Sequence, residues 1–149
     1  MSGIAPRKHY NVDRNLMFAE DLTLTATGNI QFAAADVIYQ LGPGRMDTVL
    51  VINVTAVDVS TGNELYDLYL QGSDSATMAS NVHILGHLQL GDSTVLLGGA
   101  TVDSIIGRYE LPFQNVVAGS ILLDYARMRL VAAGTTPSIT FDAWIAPVS

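Results

Sequence analysis

His83 and His87 are the two side chains best spaced to share a metal ion, being four residues apart. On a helix that spacing would put both imidazoles on one face, as in two-histidine zinc motifs. Here Val82, Ile84, Leu88 and Leu90 alternate with His83, His87 and Gln89, and Gly86 interrupts, so the segment reads as a strand. On one strand face the two rings would stand about 13 Å apart at ~3.3 Å per residue. Zinc–nitrogen bonds are only ~2.0–2.1 Å long. No metal site is expected, and the histidines read as solvent-facing or interface residues.

Other reactive patterns fail for equally local reasons. Gly42-Pro43-Gly44-Arg45 lacks the glycine spacing and the Lys-Ser/Thr ending of a phosphate loop, and Gly98-Gly99 precedes no helix. Ser120 in Ala118-Gly119-Ser120-Ile121 lacks the second glycine of a nucleophile elbow. Asp36, Asp47, Asp58, Asp74, Asp92, Asp103, Asp124 and Asp142 are scattered and match no calcium loop. With three histidines, and Glu20, Glu64 and Glu110 as the glutamates, a cupin-like ligand cluster is hard to assemble. No cofactor is expected, and the chain reads as a non-enzyme.

Two groups of residues point to binding instead. Arg127 and Arg129 alternate with Ala126, Met128 and Leu130, so they project from one strand face together with Tyr125. Arg and Tyr dominate interface hot spots. Self-association is assigned to Tyr125, Arg127 and Arg129, with a two-fold dimer expected and a trimer as runner-up; a solvated outer face is the competing reading. The second group is N-terminal. Arg7, Lys8 and Arg14 against Asp13 leave residues 1–14 at +2, so the remainder of a chain of net charge −7 carries −9. Residues 1–20 are read as an arm in which Arg7, Lys8, His9, Tyr10 and Arg14 contact an acidic or polar groove on a partner or sister subunit. An acidic body binds phosphate backbones poorly. Tyr66, Tyr69, Tyr109 and Trp144 lack the interleaved cations of base-stacking platforms. No nucleic acid or membrane partner is expected.

These side chains need strands to present them. Period-2 or β-branched runs mark Leu22–Ala26, Ala34–Leu41, Thr48–Val59, Glu64–Gln71, Val82–Leu90, Arg108–Phe113, Ser120–Val131 and Ile139–Ile145. Thr48–Val59 is apolar on both faces, with Val49, Val51, Val57 and Val59 on one and Leu50, Ile52, Val54 and Ala56 on the other. Such a strand sits between two layers or turns one face to an interface. Ser60-Thr61-Gly62-Asn63 predicts a long hairpin with Glu64–Gln71, and Gly134-Thr135-Thr136-Pro137-Ser138 predicts another between the last two strands. A short helix is expected over Ala76–Asn81, capped by Ser73, Asp74 or Ser75. About eight strands predict an all-β, antiparallel two-sheet sandwich of jelly-roll type over residues 21–149.

The bulk numbers agree with a binding role. Hydrophobic residues are 49% and charged ones 14% of 149 residues, against about 25% charged in ordinary soluble domains. So few charges suggest an exterior partly hidden in an assembly. There is no cysteine, hence no disulfide framework, which suits a reducing cytoplasm. No secretory leader or transmembrane run is read from the sequence.

Three segments together resemble the cement, or decoration, proteins of short-tailed phages, of the type that coats the Bordetella podophage capsid. They are Tyr66-Asp67-Leu68-Tyr69-Leu70-Gln71-Gly72-Ser73-Asp74, Gly107-Arg108-Tyr109-Glu110-Leu111-Pro112-Phe113, and Tyr125-Ala126-Arg127-Met128-Arg129-Leu130 running through Gly134 to Trp144. The resemblance implies a jelly-roll subunit that forms small symmetric oligomers and has no enzymatic activity. It further implies binding to the outer surface of the virion, bridging major capsid protein subunits. The alternative is a carbohydrate- or receptor-binding sandwich of a phage tail or fibre, which would need exposed aromatics beside polar loops.

Overall fold

Val, Ile and Thr crowd residues 48–57, and their branched side chains fit a pleated strand better than a helix. The longest strand forms there. The computed structural model describes residues 16–41, 44–96, 102–117 and 121–146. Their strands are β1 (Met17–Leu24), β2 (Gly28–Asn29), β3 (Gln31–Phe32), β4 (Ala35–Asp36), β5 (Tyr39–Gln40), β6 (Asp47–Val57) and β7 (Leu65–Ser73). Then follow β8 (His83–Gly91), β9 (Gly107–Gln114), β10 (Val116–Val117), β11 (Ile121–Leu122), β12 (Tyr125–Ala133) and β13 (Ile139–Ala146). The protein is all-β, and every strand pairing is antiparallel.

Two sheets share one core. The first has the order β1-β13-β6-β9, and the second the order β2-β12-β7-β8 with β5 also on β12. Leu50, Ile52 and Val54 of β6 and Phe141, Ala143 and Ile145 of β13 meet Leu68 and Leu70 of β7 and Met128 and Leu130 of β12. Each such side chain, fully removed from water, contributes roughly 1.5–3 kcal/mol.

The expected long hairpins do not form. β6 pairs with β13 and β9, whereas β7 pairs with β12 and β8; likewise β12 and β13 lie in different sheets. Ser60–Asn63 and Gly134–Ser138 are corners that carry the chain from one layer to the other. A hairpin and a corner use the same turn residues, and only shared burial tells them apart. Tyr66 ties the two corners together. Its ring is fully buried, its hydroxyl donates to the Asp58 carbonyl at 2.6 Å, and the Ser138 amide donates to it at 2.8 Å. Asn63 and Thr135 bond reciprocally across the same gap, at 2.9 and 3.1 Å. Gly134, at φ +111°, leaves room for this approach: a Cβ there would stand 2.8 Å from the Asn63 carbonyl oxygen. Glu64 accepts from the Thr61 hydroxyl and amide and the Asn63 amide, which holds its carboxyl below the usual range.

Three further expectations change. No helix covers 76–81; Met78 and Asn81 take φ of 59° and 50°, which ends any helix and buries the Met78 side chain instead. The run 34–41 supplies only β4 and β5, and Ala33 and Ala34, at positive φ, make the turn between β3 and β4. β1 begins at Met17, so residues 17–20, assigned to the arm, are part of the first sheet.

Bulges decide two side-chain directions. Thr55 has no register partner in β13, and the shift moves Val57 from the side of Val49 and Val51 to the core side. In β8 the extra residue is Leu85, which packs into the core over Gly72. Gly72 has no side chain, and a Cβ there would lie 2.7 Å from a Leu85 methyl.

Candidate interaction surface

The outer face of the second sheet gathers five side chains that the sequence singled out, Tyr69, His87, Tyr125, Arg127 and Arg129. In β12 the core takes Ala126, Met128 and Leu130, so Tyr125, Arg127 and Arg129 face outward as alternation requires. Register places Arg127 beside Gln71, and Arg129 beside Tyr69, which in turn pairs with His87. The arginines are not loose. Arg127 Nε donates to Gln71 Oε1 at 2.8 Å, and its Nη1 lies 3.8 Å from Asp36 Oδ2. Arg129 Nη1 donates to Asn29 Oδ1 at 3.0 Å.

Asp36 organises this corner. Its carboxylate accepts from Gln31 and Asn29 at 2.9 Å each. The Gln31 hydrogen bond foremost, then the Asn29 bond and the Arg127 and Arg129 charges, hold its carboxyl below the ordinary value against the opposing effect of burial. Short elements β2 to β5, of which the sequence offered only one continuous strand, thus carry the partners that fix both guanidinium groups.

Beside the arginines lies a group that the linear sequence concealed. Tyr69 and His87 stack with ring centroids 4.5 Å apart at 9°. His87 Nε2 is 2.6 Å from Asp67 Oδ1, and Gln89 Nε2 donates to the same oxygen at 3.0 Å. The signal was present as alternate polar positions in β7 and β8, but only the register joins them. His83 does not share the face of His87. The Leu85 bulge puts Ile84, 60% exposed and opposite Gln71, on that face, while His83 pairs with Gly72 on the other side.

The guanidinium, phenol, imidazole and amide groups of this face are held by neighbouring side chains. Among the described residues no three His, Asp or Glu side chains gather as metal ligands. A second feature is a cleft of about 570 Å³ between β1 and the β3–β4 hairpin, lined by Phe18, Leu22, Phe32, Asp36 and Tyr39. Phe32 stands 79% exposed at its mouth.

Trp144 belongs to neither group. It lies on the outer face of the first sheet with Val49, Val51, Ala146 and Met17, 7% exposed, with the Arg108 guanidinium 5.5 Å from its ring centre. The second apolar face of β6, expected between two layers or in an interface, presents Val49 and Val51, which are buried beside Trp144, Ala146 and Met17. Arg7, Lys8, His9, Tyr10 and Arg14 lie outside the described residues. No family model matches the chain, and no curated protein matches its sequence.

Proposed function

We propose that this protein is a structural cement protein of a phage head: a non-enzymatic subunit that binds the outer capsid surface, bridges major capsid protein subunits and stabilises the shell. The observation that carries the reading is the outer face of the second sheet, where Arg127, Arg129, Tyr69 and His87 are held by neighbours in a preorganised surface. Groups already fixed lose little freedom on docking, so such a face suits a permanent contact. The strand order supports the jelly-roll part of the proposal. The two sheets interleave as β1-β13-β6-β9 and β2-β12-β7-β8, so among the long strands only β7 and β8 are joined within one sheet. The three segments that resemble podophage decoration proteins supply the capsid.

Co-sedimentation with empty phage capsids tests the function: the protein should pellet with shells, and particles carrying it should release DNA at a higher temperature. Equal release temperatures with and without it would remove the cement role. Phe32 supports a second reading, since an exposed aromatic beside Gln31 and Asp36 at a cleft is what a carbohydrate- or receptor-binding sandwich uses. Saccharide binding that is lost in Phe32→Ala, without capsid binding, would favour that reading.

A further inference from the structure

The edge strand β1 and the β3–β4 hairpin enclose the cleft of about 570 Å³. β5 joins its walls: the Tyr39 hydroxyl donates to the Met17 carbonyl, and the Tyr39 ring meets Phe18 edge to face at 5.1 Å. Backbone strain is concentrated around this cleft. Among the described residues five other than glycine take positive φ, and three of them border it. Asp21, at 47°, stands between Glu20 and Leu22 of the β1 wall. Ala33 and Ala34, at 52° and 67°, turn between Phe32 and Ala35 of the hairpin wall. Two-residue turns of this left-handed kind ordinarily carry Asn-Gly or Asp-Gly. Alanine at both places is held against its preference, a mark that recurs at ligand clamps. The hairpin presents Phe32, 79% exposed, at the cleft mouth.

We infer that this cleft receives a cationic side chain, arginine or lysine, presented by a partner protein. Charge selects the occupant. The described lining carries two carboxylates, Glu20 and Asp36, and no Lys, Arg or His. A net charge of −7 over the whole chain draws in the same direction. An anionic group would be repelled, and a neutral saccharide would want donors as well as acceptors. The donors of the lining side chains, Gln31 and Tyr39, are already bonded to Asp36 and Met17. A cation needs no donor: it is attracted by the field of both carboxylates, even though Asp36 already accepts from Asn29 and Gln31. The apolar lining suits the rest of such a side chain. Its methylene stem can lie along Leu22 and Val37 while its charged head meets the face of Phe32. Position selects a protein as the source. Asp36 also lies 3.8 Å from Arg127, so the cleft is continuous with the face proposed to dock on a capsid. In that respect the inference rests on the proposed function, and it adds a contact of stated chemistry at the edge of that face.

The test is an NMR titration of the isotope-labelled full chain with three short capped peptides, identical except for a central Arg, Leu or Glu. The Arg peptide should shift the amide signals of Glu20, Leu22, Phe32 and Val37, and the other two should bind about tenfold more weakly. Phe32 and Glu20 are both exposed, so Phe32→Ala and Glu20→Gln should keep the thermal transition of the unaltered chain. Phe32→Ala should weaken the Arg peptide by about threefold to tenfold, and Glu20→Gln by about twofold to fivefold. Equal binding of the Arg and Leu peptides, no shift of these amides, or full affinity in both variants would each overturn the inference. Shifts of the same amides by methyl glycosides, without any by the Arg peptide, would overturn it in favour of the saccharide reading. The titration contains no capsid, so its outcome is separate from that of co-sedimentation.

Discussion

On the first sheet, the outward row Met17–Trp144–Val51 presents thioether, indole and isopropyl groups, and Val51 is wholly buried. On the second, the row Arg129–Tyr69–His87 presents guanidinium, phenol and imidazole, and every one of them reaches solvent. Both rows come from alternating strands with the same core behind them. The difference lies in what satisfies each face. Apolar groups gain only by losing water, so their face calls for a covering layer. The polar groups are satisfied by one another through Gln71, Asn29, Asp36 and Asp67, so theirs can stay open and rigid at once. One face is therefore apolar and buried, and the other polar, cross-linked by hydrogen bonds and open to water.

Trp144→Ala should separate the faces most sharply. It empties the centre of the covered patch and should destabilise the fold by about 3–5 kcal/mol in denaturant unfolding. A loss no larger than that of a surface substitution would mean the patch contributes as little as an open face. Arg127→Glu comes next, since it turns an attraction toward Asp36 into a repulsion in a partly buried setting. Roughly 1–2 kcal/mol of stability should be lost. With Arg129→Glu added, any dimer seen by light scattering should weaken; an unchanged oligomer would take this face out of self-association.

Acid should act on the second sheet through Asp36. Its folded-state carboxyl titrates below the ordinary value, so as pH falls below about 4 the unfolded chain takes up the proton first. The stabilisation is complete above that range and disappears as pH falls through the lowered value. Asp36→Asn should flatten this part of the stability profile, whereas Trp144→Ala should shift the whole profile without changing its shape. The smallest effect belongs to Tyr69→Ala, which removes the His87 stack and should cost about 0.5–1.5 kcal/mol. Its larger consequence is expected in capsid co-sedimentation, where the proposed function gives this face its role.

Much of this could be read from residue types alone. Alternation in 125–130 determined that Arg127 and Arg129 face away from Met128 and Leu130, because successive side chains on a strand must point to opposite sides. The β-branched run at 48–57 likewise determined a strand with two apolar faces. Long-range pairing was not legible. Ser60–Asn63 and Gly134–Ser138 would serve a hairpin as well as a corner, and the choice rests on contacts such as Tyr66 with Asp58 and Ser138, far apart in sequence. Nor could local pattern reveal the bulges at Thr55 and Leu85. One extra residue reverses the direction of everything beyond it, and whether it is tolerated depends on the opposite strand, here on the missing side chain of Gly72. The sequence by itself determined where the long strands β6, β7, β8, β9, β12 and β13 fall and, away from the bulges, which of their side chains point to opposite faces. Only the tertiary structure decided which sheet each strand joins and which apolar face is covered, because those depend on free energies shared between segments that meet only after the chain has folded.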